Sequence, residues 1–236
     1  SGRMRTAHDY FSRALELSRK HGLGRVELYQ YYMLGVARLF MNDLSGAVAA
    51  TELGIEQARR AGHRRAEMIA RETRALALIQ MGEFEPALLE IEIAIVQARA
   101  TASPMFEGML LAERADALCR LGRLEDAALA AQECRALSVQ PHWWLVGPML
   151  ASLDPWFVAS VDELERKVAA AGPVLDASPP TMTAFYHARF AEACLARGFA
   201  GFAERHAQLA LSSVEDAAYL ADCARRVLAI VQDHRE

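Results

Sequence analysis

Residues 74–99, RALALIQMGEFEPALLEIEIAIVQAR, decide the fold of this chain because their pattern returns at a fixed distance. Residues 57–59 are Gln-Ala-Arg, and so are residues 97–99 at the end of that stretch. Gly82, near its middle, has a counterpart one period later at Gly122. A fixed period of roughly 20–50 residues is typical of stacked supersecondary units. The sequence therefore predicts a solenoid, an architecture that binds partners along an extended surface.

The composition narrows the possible partners and the compartment. The 236 residues are 53% hydrophobic and 24% charged, which is ample for a core. The net charge of −4 argues against a basic face, so we expect no nucleic-acid contact by this segment. No stretch approaches the roughly 18 apolar residues of a membrane span, and no signal segment opens the chain, so we expect no membrane contact. The four cysteines form no C-x-x-C pair, which favours buried thiols in a cytoplasmic protein.

Helical periodicity extends along almost the whole chain. Apolar residues recur at spacings of three and four, which predicts an all-α fold with no sheet. Connections at Asn42, Gly82 and Gly122 predict turns within hairpins, because glycine permits a left-handed helix cap. We expect eleven helices, give or take one. Those of the regular repeats are predicted at 5–21, 25–41, 44–61, 64–81, 84–101, 104–121, 124–138, 181–197 and 199–213.

Small residues recur where the two helices of each hairpin should meet. Ala47, Ala87 and Ala127 lie early in the second helices, one period apart. Antiparallel helices approach to roughly 8–10 Å only where the contact residues are small. This pattern predicts closely packed hairpins stacked into one right-handed superhelix, a single domain over residues 1–236.

One stretch breaks the period. Residues 141–180 contain a cluster of prolines and three tryptophans, and they predict an irregular repeat that ends in a loop at about 172–180. Pro148 should kink or end a helix because it lacks a backbone donor. Trp143, Trp144 and Trp156 could line a small-molecule pocket or fill the gap left by shortened helices. After the pattern resumes, an amphipathic helix at about 216–233 is predicted to cap the array.

The repeat resembles the tetratricopeptide repeat. The resemblance rests on the frame Ala75…Gly82-Glu83-Phe84-Glu85-Pro86-Ala87 and on its copies around Gly122 and Gly198. The usual repeat has 34 residues, whereas this one has 40. That length resembles the arrays C-terminal to the ATPase module in MalT-like transcriptional activators and in some bacterial adenylate cyclases. The resemblance implies a cytoplasmic sensor or interaction domain of a larger bacterial signalling or transcription regulator. The alternative is a free-standing adaptor or co-chaperone scaffold.

Motifs for catalysis are absent from the sequence. It contains no phosphate-binding loop, no dinucleotide fingerprint, no nucleophile elbow and no zinc-binding H-E-x-x-H helix. The seven histidines are scattered rather than spaced as metal ligands. We therefore expect no enzyme activity, no catalytic residue, no metal site and no cofactor.

The inner surface of the array is the predicted binding face. In the tetratricopeptide frame the first helix of each hairpin lines the concave side, and its tyrosines and mixed charges suit an extended peptide, a partner helix or a small effector. The oligomeric state is left open. The predicted concave-face residues are Tyr29, Tyr32, Phe40, Glu72, Gln80, Met109, Asp116, Arg120, Phe185 and Glu192.

Overall fold

A computed structural model describes residues 2–137, 143–213 and 217–234. These residues form helices and turns with no strand among them, which confirms the all-α prediction. The regular part comprises α1 (Gly2–Lys20), α2 (Gly24–Phe40), α3 (Leu44–Arg60), α4 (Arg64–Met81), α5 (Phe84–Ala100), α6 (Pro104–Arg120) and α7 (Leu124–Ala136). The rest comprises α8 (Trp143–Ala151), α9 (Asp154–Phe157), α10 (Val161–Asp176), α11 (Pro180–Ala196), α12 (Ala200–Ser213) and α13 (Ala218–Asp233).

The helix count differs from the prediction. The described residues contain thirteen helices, so the expectation of eleven, give or take one, is wrong. The irregular repeat accounts for the difference, because the four-residue helix α9 begins at Asp154 and separates α8 from α10. A helix of one turn has too few residues to show a helical period, so the sequence pattern did not indicate it.

Turns in the left-handed conformation recur through the regular part. Gly82 and Gly122 have φ values of +83° and +74°, as glycine caps within hairpins should. Between hairpins the same conformation occurs at Gly22, Gly62 and Ala102, with φ values of +66°, +64° and +47°. The chain thus reverses direction about every twenty residues, which produces the period of forty seen in the sequence.

Consecutive helices stack into a right-handed superhelix of antiparallel hairpins. Each helix from α1 to α7 packs against its neighbours along the chain, and so do α11, α12 and α13. Glycines allow the closest approaches: a Cβ atom on Gly35 would lie 2.5 Å from Thr51 Cγ2, and one on Gly54 would lie 2.9 Å from Tyr31 Cβ. Ala87 is completely buried in the main core, as its predicted place between helices requires.

Two prolines of the irregular repeat, Pro148 and Pro173, lie inside helices. Pro148 neither ends α8 nor removes it from the stack, since the helix continues to Ala151. Its missing N–H leaves the Trp144 carbonyl without its helical donor, and the Ser178 hydroxyl lies 2.7 Å from that carbonyl oxygen. Helix α10 likewise continues through Pro173 to Asp176, so the predicted loop at 172–180 is reduced to residues 177–179.

Three boundaries predicted from the sequence fall outside the described residues. They are the end of a helix at 138, the start of the irregular repeat at 141 and the start of the last helix at 216.

Candidate functional site

Six helices form the inner row of the superhelix, and the row closes on itself. In order, α2, α4, α6, α8, α11 and α13 each pack against the next, and α13 packs back against α2. Phe40 and Tyr219 make the closing contact, with ring centroids 5.4 Å apart in an edge-to-face arrangement. Helix α8 therefore continues the inner row through the irregular repeat.

A pair of buried carboxyl groups lies inside this ring. Glu72 on α4 and Glu113 on α6 are both almost inaccessible to solvent. Burial raises the pKa of both, and for Glu113 the neighbouring Glu72 charge raises it further. Thr73 Oγ1 lies 3.1 Å from Glu72 Oε2 and donates to it. Burial and like charge therefore both favour the protonated forms of this pair.

Beside the carboxyl pair, an ion-pair network joins α6, α11 and α13. Arg120 lies 2.9 Å from Asp116 Oδ1 and 2.9 Å from Glu192 Oε2. Arg189 donates to the same Glu192 carboxylate at 2.9 Å, and Arg226 lies 3.7 Å from it. Burial alone would raise the pKa of Glu192, but Arg189 and Arg120 outweigh it and lower that pKa to about 2. Glu192 is therefore ionised at any physiological pH and ties three helices together.

A small cavity of about 10 Å³ lies among Glu113, Asp116, Ser152 and Arg189. That volume suffices for about one water molecule.

The predicted concave-face residues divide into four groups. The network brings together Asp116, Arg120 and Glu192, with Glu72 nearby. Phe40 and Gln80 lie against α13: Phe40 contacts Tyr219, and Gln80 Oε1 accepts from the Cys223 thiol at 3.5 Å. Phe185 is buried, with the Arg189 guanidinium 5.7 Å from its ring centroid, and Met109 is half-buried against the main core.

The fourth group comprises Tyr29 and Tyr32 in the first half of α2. Both are half-buried against the main core, and the Tyr29 ring meets the His63 ring edge-on at 5.8 Å. Burial, with a smaller effect of the Glu72 charge, raises the pKa of Tyr32 to about 12, so its hydroxyl stays protonated.

Sequence reasoning missed three residues of the interior, namely Glu113, Arg189 and Tyr219. Glu113 and Arg189 each lie three positions before a predicted residue, Asp116 and Glu192 respectively. Residues three apart share a helix face, so this spacing was a usable signal. No local signal indicated Tyr219, because α13 reaches α2 only through the tertiary fold.

The three tryptophans occupy different environments. Trp143 lines a cleft between α8 and α10, whereas the Trp144 side chain is 42% exposed on the outside. Trp156 is half-buried against the main core, and its indole N–H is buried without an acceptor. Trp143 thus lines a cleft, and a ligand pocket formed by these tryptophans stays a prediction.

The four cysteines are free and buried, and burial raises the pKa of Cys134 and Cys223 to about 12. Within residues 2–137, 143–213 and 217–234, no three His, Cys, Asp or Glu side chains are grouped to hold a metal ion. No helix in the same ranges is long and apolar enough to cross a membrane.

Comparison with known proteins identifies the fold. No family model matches the chain, and no curated protein matches it significantly. Among solved structures, the apo form of RapI superposes with a TM-score of 0.77 at 9% identity, over 96% of this chain and 78% of that one. The chain has a TPR-like helical-repeat fold. At this identity the likeness concerns the fold alone.

Proposed function

We propose that this chain is a protein- or peptide-binding repeat domain and the interaction part of a larger bacterial signalling or transcription regulator. It binds rather than catalyses. Its helical-repeat fold, similar to that of RapI, supports a binding role. The four buried, unpaired cysteines support a reducing compartment such as the cytoplasm.

The observation that carries this proposal is the pair of half-buried tyrosines, Tyr29 and Tyr32, on helix α2 of the inner row. Tyr29 and Tyr32 offer broad apolar faces with hydroxyl groups, which suit a peptide backbone and its side chains. Both belong to α2, whose other end meets α13 through Phe40 and Tyr219. A partner that moves α2 would therefore disturb the contact between the first and last helices of the ring.

The test is selection of peptides from a random display library on the full chain. We expect convergent peptides whose affinity falls at least about tenfold, or 1.4 kcal/mol, in a Tyr29→Ala/Tyr32→Ala variant. Tyr10→Ala is the matched control, because Tyr10 is 70% exposed on the outer helix α1. Circular dichroism must show that the double variant stays helical, and Tyr32→Phe, which keeps the ring, provides a milder second variant.

Two results would contradict the proposal. One is that no convergent peptide emerges from the library. The other is that selected peptides bind the double variant as well as the wild type and cross-link to the outer helices instead.

A further inference from the structure

The cleft between α8 and α10 is separate from the inner ring and has the size of a small-molecule site. It measures about 360 Å³, and sites for small ligands usually lie between about 300 and 1,000 Å³. Trp143, Leu150 and Val174 contribute apolar walls, and the end of α7 contributes Arg135. An apolar concavity with a few convergent polar groups is the usual design of such a site.

The walls of the cleft are held in place by close packing. A Cβ atom on Gly147 would lie 2.7 Å from Val174 Cγ1 and 3.1 Å from Trp143 Nε1, so only glycine lets α8 approach α10 this closely. The Ser178 hydroxyl ties the end of α10 to the Trp144 carbonyl that Pro148 leaves free. The cleft is therefore shaped in advance rather than opened by fluctuation.

Among the charged side chains that line the cleft, two are cations and one is an anion. The Asp154 carboxylate is mostly buried, and Lys167 Nζ and an Arg135 guanidinium nitrogen lie 3.4 Å and 3.9 Å from its Oδ1. Both distances exceed the roughly 2.7–2.9 Å of a tight charge-assisted hydrogen bond. The charge of Glu163 also acts on Asp154, but Glu163 is not part of the cleft lining. An anion in the cleft would therefore meet two cations that each keep about half of the side chain accessible, at 41% for Lys167 and 49% for Arg135.

We propose that this cleft binds a small organic monoanion, a carboxylate on a flat apolar body. The carboxylate lies between Arg135 and Lys167, and the apolar body lies along Trp143 and Leu150. Stacking on the indole and pairing with two cations are independent contributions, so each can be tested alone. This inference does not depend on peptide binding at Tyr29 and Tyr32.

The chain offers an internal control, because Lys20 and Lys167 are its only lysines. Reductive methylation with ¹³C-formaldehyde keeps the positive charge of each lysine and gives it an NMR signal. Lys20→Arg and Lys167→Arg variants assign the two signals. Indole-3-acetate is the probe, and indole-3-ethanol, with the same ring and chain length but no charge, is its matched control.

We expect indole-3-acetate to shift the Lys167 signal saturably and to leave the Lys20 signal unchanged. Indole-3-ethanol should bind at least about tenfold more weakly. Trp143→Ala should weaken binding to the same extent, whereas Trp144→Ala, at the exposed neighbouring position, should not. Arg135→Gln removes the other cation at a half-exposed site while keeping Lys167 as the NMR reporter, and it keeps the test valid if Trp143→Ala fails to fold.

Three results would overturn the proposal. The first is no saturable shift of Lys167 up to about 10 mM indole-3-acetate, which is weaker than any useful site. The second is equal binding of the neutral alcohol. The third is unchanged affinity in both Trp143→Ala and Arg135→Gln, which would place the ligand elsewhere.

Discussion

Ala102 occupies a left-handed turn that glycine occupies in the two preceding repeats, and Ala102→Gly should therefore stabilise the protein. The three turns are equivalent. At Ala102 the backbone N–H of Ser103 bonds to Ala98 O at 2.9 Å, and at Gly62 the N–H of His63 bonds to Ala58 O at 2.9 Å. The φ angles are +47° and +64° respectively.

The expected magnitude follows from two opposing effects. A non-glycine residue in the left-handed region costs roughly 1–2 kcal/mol. Replacing alanine by glycine relieves this cost, but it also makes the unfolded chain more flexible, which lowers the gain in stability by about 0.4–1 kcal/mol. We expect Ala102→Gly to raise the free energy of unfolding by about 0.5–1 kcal/mol. For a chain of this length that corresponds to a Tm increase of about 1–2 °C.

The reverse substitution in the preceding repeat is the matched control. Nothing lies within 4 Å of a Cβ atom placed on Gly62, so Gly62→Ala changes the backbone preference without a clash. It should lower Tm by a similar amount. Urea unfolding followed by circular dichroism measures the stability, and amide hydrogen exchange in α5 and α6 shows whether the effect is local. A lower Tm for Ala102→Gly, or shifts of the same sign in both variants, would refute the reasoning.

Two further predictions concern the packed interior. Ala87→Leu should destabilise the protein by about 1–3 kcal/mol, because it overpacks a completely buried site. Ala100→Leu, at the exposed end of the same helix, should leave the stability unchanged. Equal melting temperatures for the two variants would show that the hairpin frame is misplaced. His187 and His206 have their Nδ1 atoms 3.1 Å apart, and burial lowers their pKa values to about 4 and about 3. Their stabilising effect is thus complete above the unfolded histidine pKa of about 6.5 and is lost as pH falls toward 4 and 3. In urea unfolding between pH 6.5 and 4.5, His206→Phe should reduce the dependence of stability on pH by up to about 1.4 kcal/mol per pH unit, and an unchanged slope would contradict this.

The Glu72–Glu113 pair changes stability with pH in the opposite direction to the two histidines. The pH profile of the wild type must therefore be compared with that of His206→Phe. Burial raises the pKa of Glu72 and Glu113, so their protonated forms stabilise the folded state at low pH. That contribution is present below the unfolded glutamate pKa and is lost as pH rises through the folded values. The net pH profile of the wild type is therefore a sum of opposing effects, and only the difference caused by His206→Phe isolates the histidines.

The repeat frame was determined by the sequence itself. Stacked hairpins interact mainly with their neighbours, so the same small residues and the same turns must return at each step. The regular helices and the turns at Gly82 and Gly122 were predictable for that reason. The short helix α9 was not predictable, because one turn is too short to show a helical period. The continuation of α10 through Pro173 was not predictable either, because a proline removes one hydrogen bond without deciding whether packing compensates for the loss.

Closure of the inner row was decided only by the tertiary structure. Each hairpin rotates slightly relative to the last, and the sum of these rotations, not any local pattern, brings Tyr219 to Phe40. The same closure joins Asp116, Arg120 and Glu192, which were predicted to line a groove, into one partly buried ion-pair network, whereas Tyr29 and Tyr32 are half-buried against the main core. Likewise, the α8–α10 cleft depends on how Gly147 lets two irregular helices meet. A sequence period records contacts between neighbours, whereas these sites arise from residues that are distant along the chain.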